Sequence, residues 1–114
     1  MGGMEKPDST VLAVLTTVDA VEKGEALARG AVEARLAACA QVSSGSVTSV
    51  YRWEGVVETA REWRVLLKTT RARYAELEAW LTEHHEYETP QIVALPVTHT
   101  ATPYLTWLTS QVTP

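Results

Sequence analysis

This sequence predicts an α+β fold. It reads as a ferredoxin-like β-α-β-β-α-β antiparallel sheet with a long central hairpin and a C-terminal helix. Three observations predict it. Two segments with helical periodicity are each preceded and followed by strand-like runs. Between them lie two long alternating segments joined by Glu54-Gly55, and Pro103 opens a last short apolar stretch.

Val11-Leu12-Ala13-Val14-Leu15 is a short apolar run with few polar breaks, as expected of a strand buried on both faces. Asp19 and Glu22 then make a capping-box pattern. From residue 20 to about 36 the period is helical. Ala20, Val21, Leu27, Ala28, Ala31 and Val32 share one arc, with Glu22, Glu25, Arg29 and Glu33 opposite. Gly24 and Gly30 weaken this helix by roughly 1 kcal/mol each relative to Ala, but permit close packing.

Over residues 39–53 the period becomes two: Val47, Ser49, Tyr51 and Trp53 alternate with Thr48, Val50 and Arg52. Ser43-Ser44-Gly45 marks a bend or bulge, and Glu54-Gly55 a turn. A second strand runs to about Thr69, with Trp63, Val65, Leu67 and Thr69 on one face and Glu62, Arg64, Leu66 and Lys68 on the other. The second helix is expected from Thr70 to His85. Tyr74, Leu77 and Leu81 form its core stripe, which His84 continues. Pro90 opens a strand over 91–95 that Pro96 or Val97 ends. Thr102 as N-cap and Pro103 at the first helical position start the last helix.

The 114 residues are 46% apolar and 21% charged, the balance of one soluble domain over residues 10–114 preceded by a flexible arm over 1–9. The net charge of −4 argues against non-specific nucleic-acid binding. The sequence contains no apolar run long enough to span a bilayer and no apolar signal core. Cys39 is the single cysteine, so the expected setting is a reducing cytoplasm without intrachain disulfides. A hairpin strand of fifteen residues spans about 50 Å at roughly 3.3 Å per residue. That is too long for one small core, and both hairpin strands stay apolar. Helices on one sheet face leave the other face and the strand ends open, so homo-oligomerisation is expected.

The blocks Ala34-Arg35-Leu36-Ala37-Ala38-Cys39-Ala40, Ser49-Val50-Tyr51-Arg52-Trp53-Glu54-Gly55, Lys68-Thr69-Thr70 and His84-His85-Glu86-Tyr87-Glu88-Thr89-Pro90 occur in that order. Leu95-Pro96-Val97 and Tyr104-Leu105-Thr106-Trp107-Leu108 complete the series. Over about residues 10–112 this resembles the CutA family of divalent-cation tolerance proteins. The resemblance implies a ferredoxin-like protomer, a homotrimer built by intersubunit strand pairing and a cytoplasmic location. It also implies a link to copper and other divalent cations, without enzymatic activity, and a trimer similar to that of PII signalling proteins. The chain departs from the family pattern at Ser44-Gly45, Glu86, Pro90-Gln91 and around Thr100. Thr16 stands where copper-binding members carry a cysteine.

His84 and His85 are the candidate metal ligands, because imidazole suits copper, nickel and zinc and the resemblance places a ligand pair there. The opposing reading makes them a core residue and a helix C-terminal cation. Cys39 is the third, softer candidate, set against the ordinary role of a small buried hydrophobe. Tyr51, Arg52, Trp53, Glu62 and Lys68 are read either as the wall of an intersubunit cleft or as interface anchors and ion pairs. No metal or cofactor is required on this reading, and copper or another divalent cation is the candidate ligand. No nucleophile elbow, P-loop or zinc-binding spacing occurs in the sequence. Three functions follow: metal tolerance with binding at His84 and His85, a PII-like small-ligand module using the hairpin cleft, and a trimeric scaffold for a protein partner.

Overall fold

One strand organises the sheet. In the computed structural model, which describes residues 10–114, β4 (Val56–Thr70) pairs antiparallel with three other strands. These are β1 (Val11–Val18), β2 (Cys39–Val42) and β3 (Val47–Trp53). β5 (Val93–Val97) pairs antiparallel with the far side of β1, giving the order β2-β4-β1-β5 with β3 also on β4. The helices are α1 (Val21–Glu33), α2 (Arg71–His84) and α3 (Thr102–Val112). The predicted arm over residues 1–9 lies outside the described residues.

The hairpin forms where the sequence asks for it. Trp53 pairs with Val56, leaving Glu54 and Gly55 as a two-residue loop with φ of 50° and 82°. Two positive φ values define the turn whose twist matches antiparallel strands, and Gly supplies the second without strain. The bend before β3 is equally specific. Val42 pairs with Val65 and Val47 with Glu62, so residues 43–46 bulge opposite Trp63 and Arg64. Ser43 pins the bulge: its N–H donates to Arg64 O, and its Oγ accepts from Arg64 N–H. The hairpin gives the chain a long axis of 48 Å.

Strand alternation sorts the sheet into two faces. Leu12, Val14 and Val18 of β1 and Val65 and Leu67 of β4 pack against Leu27 and Ala31 of α1 and Leu77 and Leu81 of α2. Each fully buried Leu here contributes about 1.5–3 kcal/mol. Gly24 lets α1 approach the sheet, since a Cβ there would stand 3.0 Å from Val42 Cγ1. At Gly30 a Cβ would come within 2.7 Å of the Trp80 ring. On the second face, two cross-strand rows follow from the register. Cys39, Lys68, Ala13 and Leu95 form one; Gln41, Leu66, Leu15 and Val93 form the next. α3 covers only a corner of this face through Leu108 and Val112 against Val11 and Ala38, so the helices are not confined to one side.

Four local expectations are corrected. α1 ends at Glu33, not near residue 36, because Arg35 turns left-handed at φ 60°. Leu36 N–H then bonds back to Ala31 O and Arg35 N–H to Val32 O, a Schellman closure. Asp19 does not cap α1; its carboxylate pairs with Lys23 Nζ at 2.8 Å. Ala101 rather than Thr102 occupies the α3 N-cap. β5 runs two residues later than expected and contains Pro96, which an edge strand accepts.

Candidate functional site

Beneath the hairpin, the loop after α2 meets β1, β3 and β4 around a cleft of about 690 Å³. Thr17 of β1, Tyr51 and Trp53 of β3, Glu62 of β4 and Tyr87 of the loop line it. The loop's conformation is fixed by His85. At the end of α2 the backbone becomes extended (φ −79°, ψ 146°), which turns the His85 ring into the protein while His84 stays outside. The expected core stripe through His84 is therefore corrected by one residue.

Both nitrogens of His85 are engaged. Nδ1 accepts from the Tyr87 backbone N–H at 3.1 Å, so Nε2 carries the proton and donates to Thr17 O at 2.9 Å. Thr16 Oγ1 lies 3.1 Å from the same Nε2. Burial lowers the His85 pKa, against the opposing pull of the Thr17 carbonyl and of Glu62. Anchored in this way, the loop presents Tyr87, whose phenol donates to Glu62 Oε2 at 2.7 Å. Burial and the hydrogen bond to Glu62 raise the Tyr87 pKa well above its ordinary value, so the phenol stays a donor.

His84 faces elsewhere. Its ring stacks on Trp80 at 4.1 Å, and Nδ1 donates to Trp80 O at 2.8 Å, leaving Nε2 as its free lone pair. Glu86, a departure from the family pattern, forms a surface pair with Lys23 Nζ at 3.2 Å. Cys39 shares a hydrogen bond with Tyr104 OH at 3.2 Å, which together with burial pushes the Tyr104 pKa up to about 12. Cys39 belongs to the row of Lys68 and Ala13, whereas Thr16 pairs with core Val65 on the other face. The sheet thus lies between Cys39 and His85, and the three candidate metal residues do not converge. Among the described residues no group of three or more His, Cys, Asp or Glu side chains is placed to hold a metal ion.

Of the five hairpin candidates, Tyr51, Trp53 and Glu62 come together in the cleft. Arg52 does not: its guanidinium donates to Gly55 O across the turn. Nor does Lys68, six residues along β4 from Glu62 and so about 20 Å away at roughly 3.3 Å per residue. Thr17, Tyr87 and Glu88 were not anticipated as cleft residues. Tyr87 sits inside the His84–Pro90 block, but the 25 residues separating it from Glu62 put their contact beyond any local pattern.

An α+β domain with an antiparallel sheet and packed helices is the class to which the CutA1 divalent ion tolerance proteins belong. The model of that family matches residues 12–111. The chain belongs to this family. It is 41% identical over 101 residues to the divalent-cation tolerance protein CutA of Shigella flexneri, covering 89% of each chain. Among solved structures, the divalent cation tolerance protein of Thermus thermophilus superposes with a TM-score of 0.87 at 37% identity, over 90% of this chain and 99% of that one. CutA from Xylella fastidiosa superposes with a TM-score of 0.88 at 30% identity, over 92% and 100%. A relative from Archaeoglobus fulgidus, 29% identical over 90% of this chain and 99% of its own, with a TM-score of 0.86, is described as periplasmic. In this protein no described helix is long and apolar enough to cross a membrane.

Proposed function

We propose that the chain serves divalent-cation tolerance as a non-catalytic homotrimer, in the cytoplasm, and that it binds a small ligand in the cleft at the base of its hairpin. The tolerance role comes from the family. Assembly is supported by apolar surface with no partner in the protomer: Val56 and Val57 on the hairpin and Val93 and Leu95 on β5 are all exposed. Three copies, rather than two, is what the family resemblance implies. The observation that carries the cleft is the pair of half-buried Tyr87 and buried Glu62 set into a cavity of ligand size. This is the PII-like reading of the fold.

Metal binding at the histidine pair is the second reading, favoured by one contact. His85 Nε2 meets Thr16, the position where the resemblance expects a thiol ligand. Copper binding there requires His85 to surrender the bond to Thr17 O and His84 to leave the Trp80 ring, with the Thr16 hydroxyl as a further donor. Dialysis against equal low concentrations of copper, zinc, nickel and manganese ions separates the readings. The cleft reading predicts no stoichiometric metal, and no difference between the wild type and the His84→Ala/His85→Ala variant. Near-stoichiometric copper lost in that variant establishes the histidine site instead.

A further inference from the structure

Glu62 is an unusual residue for the middle of a β-strand. It is only 9% exposed, yet no described Lys, Arg or His forms an ion pair with it. Tyr87 satisfies Oε2, and Oε1 has no partner among the described residues. Buried carboxylates are ordinarily paired with a cation or fully hydrogen-bonded, because desolvating the charge is costly. Here the unfilled oxygen belongs to a residue lining the cleft. The protomer's lining around it contains a second carboxylate, Glu88, and three aromatic residues, Tyr51, Trp53 and Tyr87, but no Lys, Arg or His. Asp19 adds to the negative field at Tyr87. Acceptors and aromatic rings without a positive group complement a cation whose body is organic. A bare metal ion would need several converging oxygen, nitrogen or sulfur donors, and no such group is assembled among the described residues.

Resting on the cleft reading above, we propose that the ligand is a small organic cation with a primary ammonium group. The ammonium donates to Glu62 Oε1 while the apolar part packs against Tyr51, the nearer of the two hairpin rings, which pairs with Glu58. Aromatic rings attract such cations more strongly as water is excluded, and a charge-assisted hydrogen bond to a carboxylate fixes the orientation. Tyr87, holding the other oxygen, positions the carboxylate.

Phenethylammonium and phenylacetate share a ring and differ in the sign of their charge, so they test the assignment directly. Each is titrated into the full-length protein, followed by tryptophan fluorescence and calorimetry. Phenethylammonium is expected to saturate the protein at least tenfold more tightly than phenylacetate. In Glu62→Gln that preference should fall to within about twofold, with the mass of the assembly unchanged. Phenylacetate binding as tightly, with Glu62→Gln indifferent, overturns the ammonium assignment and leaves the cleft reading standing. Neither ligand saturating at millimolar concentration overturns the assignment too. If Glu62→Gln then also changes the mass of the assembly, a second copy completes the carboxylate and the cleft reading falls with it.

Discussion

The two faces of this sheet are built to different ends. On the helix side, Val14, Val65, Leu67, Leu77 and Leu81 are wholly buried within one chain. On the other side, Leu95 is 53% exposed, and Val56 on the hairpin 56%. The first face needs nothing beyond its own helices. The second presents equally apolar residues that no helix of the chain covers, apart from the corner under α3. Stability of the protomer and the business of the protomer are therefore separated in space: one layer holds the fold, the other layer and the hairpin meet something else.

The largest effect should come from cutting into the closed face. Leu77→Ala removes a fully buried side chain where helix and sheet meet, and should cost about 2–5 kcal/mol in denaturant unfolding. A loss below about 1 kcal/mol would mean that α2 is not packed as described and would blur the contrast between the faces.

A smaller effect tests the junction between the closed core and the cleft. Burial depresses the His85 pKa below its ordinary value of about 6.5, so the unfolded chain takes up the proton first as pH falls. The stability contributed by the neutral ring is complete above about pH 6.5 and is lost as pH drops through the lower folded value. Protonation would also set an N–H on Nδ1 against the Tyr87 N–H. Thermal melting should therefore decline from about pH 7 to about pH 5, and His85→Gln should flatten that slope. An unchanged slope in His85→Gln would remove His85 as the anchor of the cleft loop.

Much of the closed face was legible because its signals are local. The i, i+4 spacing of Leu77 and Leu81 and the alternation of Val65, Leu67 and Thr69 each report which way a side chain points. Glu54-Gly55 was legible because few residue pairs suit two positive φ values. The helix ends were read less well. Arg35 adopts a left-handed conformation usually left to Gly, and its cost is offset by the Schellman bonds it allows. One residue of uncertainty at the end of α2 exchanged the environments of His84 and His85, and with them the metal reading. Tyr51, Trp53 and Glu62 line one cleft of the protomer because paired strands carry them on one face. Tyr87 was missed because a loop, not a period, delivers it. Arg52 and Lys68 were grouped with the cleft by their polarity, which says nothing about position along a strand.

The most direct test of the contrast is the mass of the protein in solution, measured by light scattering at micromolar concentration beside Leu95→Asp. Three times the chain mass of 12.5 kDa is expected for the wild type. The variant should be a folded protomer of reduced assembly, because Leu95 lies on the open face. A wild type that runs at 12.5 kDa, or a Leu95→Asp variant that keeps the full assembly, would contradict the contrast.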